Sequence, residues 1–183
     1  MTLAEALGVR AGDVVSFIGA GGKTTAMYRV AADLAAQGLK TIVTTTTKIF
    51  PPDGPDVALI LEGAGGGGAA ARVAEALGRA RIVAVAARAL ADGKLEGLPP
   101  DWVAALRGVP GVAAVLVEAD GSARKPFKAP AEHEPVIPAA TTLVVAVVGA
   151  DALGRPLAED LVHRAALAAE QAGIRLGDPL TPE

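Results

Sequence analysis

The sequence predicts an α/β domain in which a mostly parallel sheet is flanked by helices. Three observations carry this: six apolar runs rich in β-branched residues, helical stretches between them, and a glycine turn joining the first run to the first helix. Runs that are apolar at nearly every position suit strands covered on both faces, as in parallel sheets. Their alternation with helices indicates βαβ units and an open sheet, whose ligands sit beyond the carboxyl ends of the strands. A length of 183 residues fits one such domain with a substantial core.

The strands are predicted at Val14–Ile18, Thr41–Thr45, Val57–Leu61, Arg81–Ala86, Val112–Val117 and Thr142–Val148, and the helices at Thr25–Gln37, Ala69–Arg79, Pro100–Arg107 and Glu159–Ala172. Gly38 and Gly173 fall where helix C-caps belong. The glycine run Glu62–Ala71 lacks a following Lys-Thr and is expected to be a flexible connector. Ala91–Asp101, with an Asp-Gly turn signal, is expected to form a hairpin or excursion, with Lys94 solvated. At the end of the chain Thr181, Pro182 and Glu183 have the form of an N-cap and first helical turn, from which a longer parent protein is expected, with a C-terminal segment lacking here.

Composition removes several classes of chemistry. Aromatic residues make up only 3% of the chain, so the core is expected to be aliphatic. The net charge of −3 supplies no basic field for a nucleic-acid backbone, and no DNA or RNA partner is expected. The absence of cysteine excludes disulfides, thiolate metal sites and cysteine nucleophiles. The N-terminal segment lacks the pattern of a secretory signal, and no apolar run approaches the roughly 18 residues of a membrane helix. A cytoplasmic protein without a membrane partner is therefore expected.

Chemistry is expected in the loops after the strands. Gly19, Ala20, Gly21, Gly22, Lys23, Thr24 and Thr25 read as a phosphate-binding loop entering a helix, where small residues let backbone N–H groups face phosphate oxygens. The usual G-x-x-x-x-G-K-[ST] spacing fails, because Phe17 holds the place of its first glycine. The shorter G-x-x-G-K-T form retains the working parts and resembles the ATP loop of Mur-type peptide ligases. In this reading Lys23 meets the β and γ phosphates of ATP or GTP, and Thr24 ligates Mg2+. Glu118 and Asp120, ending an apolar strand, are the acids available to hold the metal or orient a water, and either fits.

Two further blocks face the same end of the sheet. Thr46, Thr47 and Lys48 lie just past a strand end, where hydroxyls and an ammonium would meet phosphate, metal or a second substrate. Arg124, Lys125, Lys128, His133 and Glu134 lie in a loop stiffened by prolines 126, 130, 135 and 138, which suits an anionic substrate with His133 as acid or base. Asp151, His163 and Arg164 are expected to be structural.

Taken in order, "FIGAGGKTT", "VTTTTKIF", "VEADGS", "KAPAEHEPVIP" and "VVGADALGRPL" followed by "VHR" resemble the YqeC family across nearly the whole chain. That resemblance implies a P-loop nucleotide-binding protein that assists selenium-dependent molybdenum hydroxylases. It supports Gly19–Thr25 as the phosphate loop, Thr44–Lys48 and Glu118–Gly121 as site blocks, and Lys128, His133 and Glu134 as a substrate-side loop. The expected function is therefore Mg2+-dependent NTP binding, with NTPase or phosphoryl-transfer activity serving maturation of such a hydroxylase. The rivals are a non-catalytic nucleotide switch docking on the hydroxylase, and a Mur-like ligase or small-molecule kinase.

Overall fold

The computed structural model describes residues 1–52, 57–61 and 68–182. In chain order the elements are α1 (Leu3–Ala6), β1 (Asp13–Gly19), α2 (Lys23–Ala36), β2 (Lys40–Thr45), β3 (Lys48–Ile49), β4 (Val57–Leu61), α3 (Ala69–Ala76), β5 (Ile82–Ala86), β6 (Arg88–Ala89) and β7 (Leu95–Glu96). There follow a 3₁₀ turn (Pro100–Trp102), α4 (Val103–Arg107), β8 (Val112–Glu118), β9 (Phe127–Lys128), β10 (Leu143–Val147), a second 3₁₀ turn (Ala150–Ala152), β11 (Val162–His163) and α5 (Ala165–Ala172).

Six strands form one sheet in the order β10-β1-β8-β2-β5-β4, with every neighbouring pair parallel. Alternating side chains of its central strands pack into two layers. Val15, Phe17, Val43 and Leu116 meet Met27, Val30 and Leu34 of α2 on one face. Val14, Ile42, Val115 and Val117 meet Val73 and Leu77, and Val103 and Leu106 of α4, on the other. Phe17 is fully buried, and a side chain of this kind contributes roughly 1.5–3 kcal/mol. The buried residues of α2 include Met27, Val30, Ala31 and Leu34, the spacing of a one-sided helix.

Most expected elements are found within a residue or two of their bounds. The hairpin is also present: β6 pairs antiparallel with β7, which pairs with β3 in a small second sheet. Other expectations are corrected. The helix expected over Glu159–Ala172 begins only at Ala165, because Val162–His163 pairs with Phe127–Lys128 and Arg164 takes a left-handed conformation at φ 64°. Helix α3 stops at Ala76, short of Arg79. The Pro100–Arg107 helix divides into a 3₁₀ turn and α4.

The sequence reading missed α1, although Thr2 and Glu5 form a capping box at its start. Of the expected connector over Glu62–Ala71, residues 62–67 lie outside the described residues, and the stretch from Ala69 belongs to α3. Thr181 and Pro182 belong to no regular element, and Glu183 lies outside the described residues.

Candidate functional site

The carboxyl ends of β1, β8 and β2 bring the glycine loop, the acids and the threonine block together. Gly19 closes β1 at φ 100°, and a Cβ there would lie 2.5 Å from the Val147 carbonyl oxygen, so only glycine fits. Its N–H donates to Asp120 Oδ2 at 2.8 Å. The next two amides are also held by the protein, Ala20 donating to the Val147 carbonyl and Gly21 to the Lys125 carbonyl, each at 2.7 Å. These contacts brace the loop. Gly22, at φ 102°, then starts α2, and the N–H groups of Gly22, Lys23, Thr24 and Thr25 meet no acceptor among the described residues. An anion there would receive four amides and the positive end of a 14-residue helix.

Beside that helix start, the Thr24 hydroxyl donates to Glu118 Oε2 at 2.6 Å. Glu118 is only 7% exposed. Its burial raises its pKa above the ordinary glutamate range, aided by the nearby charge of Asp120 and opposed by the Thr24 hydrogen bond and Lys23. Among the described residues no three His, Asp or Glu side chains converge as a ready-made metal cage. Mg2+ needs none, since it takes one or two protein oxygens together with phosphates and waters.

Lys23 is 2% exposed. Its ammonium donates to the carbonyls of Gly19 at 2.8 Å and Ala20 at 3.1 Å. It also lies 3.1 Å from Asp120 Oδ1, as an ion contact rather than an aligned hydrogen bond. Asp120 Oδ2 accepts from Lys128 at 3.0 Å, and Lys128 in turn donates to the Gly121 carbonyl at 2.7 Å and to Glu134 Oε2 at 2.6 Å. Arg164 completes the chain by pairing with Glu134 Oε1 and donating to the Ala129 carbonyl at 3.0 Å. Burial alone would raise the pKa of Glu134, but the Lys128 and Arg164 contacts hold it below the ordinary range. Five alternating charges thus run from the glycine loop to the start of α5.

A cleft of about 1330 Å3 opens over this site. Ala20 to Thr25, Thr46, Thr47, Lys48, Glu118, His133 and Glu134 all line it. Gly19, Asp120, Lys125 and Lys128 are not among the lining residues. Thr46 is fixed by its hydroxyl donating to the Val136 carbonyl at 2.7 Å, and Thr47 lies 3.3 Å from the Thr45 hydroxyl. Lys125 turns away to the Glu159 carbonyl, with the Glu159 carboxylate 3.9 Å distant. His133 is exposed at the rim, with no side-chain partner among the described residues.

A model of the YqeC protein family matches residues 15–166, a span that holds the glycine loop, both acids, His133, Glu134 and Arg164. The chain belongs to the YqeC family. It is similar to "Uncharacterized protein YqeC" of Escherichia coli (strain K12), with 33% identity over 166 residues, 88% of this chain and 61% of that protein. The chain therefore spans less than two thirds of the length of this relative. No solved structure matches it. Within the YqeC-matched span, Arg164 was read as structural, and the site residues that sequence reading passed over are Phe50, Trp102 and Gly97. Only Gly97 carries a local signal, a glycine after a short strand. A Cβ there would lie 2.5 Å from the Thr45 carbonyl oxygen.

Proposed function

We propose that this chain binds a nucleoside triphosphate with Mg2+ and transfers or hydrolyses its terminal phosphate. The observation that carries this is the pairing of four open amides at Gly22–Thr25 with the 2.6 Å contact between Thr24 and Glu118, at the ends of adjacent parallel strands. In this reading the amides hold phosphate oxygens, and Lys23 exchanges its loop carbonyls for the β and γ phosphates. Thr24 and Glu118 would hold the metal, which when bound offsets charge on the phosphates. Asp120 positions rather than ligates, since it is tied to Gly19, Lys23 and Lys128. His133 is placed at the rim to take the proton of an attacking hydroxyl or water. The attacking oxygen bonds to the terminal phosphorus as the bond from that phosphorus to the bridging oxygen breaks, and the electron pair of the broken bond leaves with the nucleoside diphosphate.

One observation favours a nucleotide switch as the second reading. Lys23 belongs to the charge chain that ends at Arg164, so drawing it toward phosphate would unbalance Asp120 and, through Lys128, Glu134. Single-turnover hydrolysis separates the readings, because a switch turns over slowly without its partner. Service to a selenium-dependent molybdenum hydroxylase rests on the family resemblance. Without cysteine the chain offers no thiol to carry selenium, so its part would be nucleotide-driven activation or timing of insertion. Mg2+-dependent binding of ATP or GTP, lost in Lys23→Ala, is the test of the core reading.

A further inference from the structure

The cleft extends well past Glu118, toward the small sheet of β3, β6 and β7. This arm lies on the β2 and β5 side of the phosphate loop, where a compound meeting the terminal phosphate would sit. Phe50 stands in it, 45% exposed in a chain only 3% aromatic. Neighbouring Ile49 is buried in the main core with Leu95. The Arg124 guanidinium lies 4.7 Å from the centre of its ring and the Lys94 ammonium 5.4 Å. The single tryptophan, Trp102, lines the same arm.

The charge of the arm is opposite to that of the chain. Lys48, Arg88, Lys94 and Arg124 line it against the single carboxylate of Glu96, although the whole protein carries −3. Glu96 is already paired with Arg88 and Lys94 lies 3.5 Å from Asp92, whereas neither Lys48 nor Arg124 has a carboxylate within ion-pair distance among the described residues. Of the cations that the sequence assigns to the substrate, Lys48 and Arg124 are thus open, while Lys125 and Lys128 are occupied by Glu159, Asp120 and Glu134.

We propose that this arm binds the second substrate, a flat-ringed compound bearing a carboxylate or phosphate, with its ring on Phe50 and its anionic group met by Arg124, Lys94 and Lys48. The part of the Phe50 ring left exposed supplies apolar ring contact, and the cations held over that ring select an anion over a neutral ring. That the compound is a second substrate rests on reading the glycine loop as the nucleotide site. That a ring anion binds here does not.

Calorimetric titration with 2-naphthoate is the test, with cyclohexanecarboxylate as the same charge without a flat ring. The wild-type chain should bind 2-naphthoate about fivefold more tightly than cyclohexanecarboxylate, with or without excess MgADP. Phe50→Leu, which keeps apolar volume but removes the ring, and Arg124→Ala should each weaken binding about fivefold. No binding by the folded chain, equal binding of both acids, or indifference to Phe50→Leu and Arg124→Ala would overturn the proposal. Displacement by MgADP would give the ring site to the nucleotide's own base and overturn the second-substrate assignment. If MgADP fails to bind while 2-naphthoate behaves as expected, the nucleotide reading fails and the ring-anion site stands.

Discussion

At Glu118 a buried carboxylate accepts a hydrogen bond from the Thr24 hydroxyl, and its burial acts against stability. Because its folded pKa is raised, the folded state holds the proton more tightly than the unfolded state, and Glu118 lowers stability as pH rises from the ordinary glutamate range through the raised value. Glu118→Gln removes that term. Without Mg2+ at neutral pH this variant should melt at the same temperature as wild type or higher, while its nucleotide binding loses its response to Mg2+. Thermal melts across pH, with and without metal, check both parts. Asp120 behaves differently, since it is the anion between the buried ammoniums of Lys23 and Lys128. Asp120→Ala leaves both cations short of charge and should cost about 3–5 kcal/mol in urea unfolding. The acids two residues apart were equivalent in the sequence; their hydrogen bonds separate Glu118, which accepts from the Thr24 hydroxyl, from Asp120, which braces Gly19, Lys23 and Lys128, a distinction that depends on partners dozens of residues away.

Among the elements, those legible in the sequence were the ones with a repeating pattern. The apolar runs of β1, β2, β5 and β8 announce strands, because parallel strands buried on both faces need apolar side chains at nearly every position, whereas the edge strands β4 and β10 are as apolar but leave Leu59, Leu61 and Val144 exposed. The start of α5 was not legible. The stretch from Glu159 has helical composition, yet pairing of Val162–His163 with Phe127–Lys128 outweighs that local preference. The same pairing sets Arg164 at φ 64° beside Glu134, so a residue read as structural closes the charge chain. Gly97 is a second long-range constraint, since its amide donates to the Thr47 carbonyl at 2.6 Å and its missing Cβ leaves room for the end of β2. Gly97→Ala should therefore destabilise the fold by about 1–3 kcal/mol and displace Thr46–Lys48. Chemical-shift changes confined to those residues and the β7 region, together with a lowered urea midpoint, are the expected record.

For the whole molecule, the sheet order places the glycine loop of β1 directly beside the acids of β8, and the loop after β2 on their other side. The sequence could name these loops as candidates but not their order, because strand adjacency arises from crossovers that no local pattern encodes. The charge chain ties this sheet to the smaller apolar cluster around Ala129, Val162 and Ala165. Glu134 lies in that link with a depressed pKa, so it contributes stability above the ordinary glutamate range that is lost as pH falls through its folded value. Glu134→Gln should flatten the acid limb of the stability profile within that window, as read from urea midpoints at successive pH values. The central claim is that the open amides at the start of α2, with Lys23, hold nucleotide phosphates. Calorimetry of MgATP and MgGTP on the wild-type chain and on Lys23→Ala, both verified as folded by circular dichroism, tests it most directly. The account predicts saturable, Mg2+-dependent binding of at least one nucleotide that Lys23→Ala weakens by about tenfold or more. Absence of binding by the folded wild-type chain, or binding indifferent to Lys23→Ala, would contradict it.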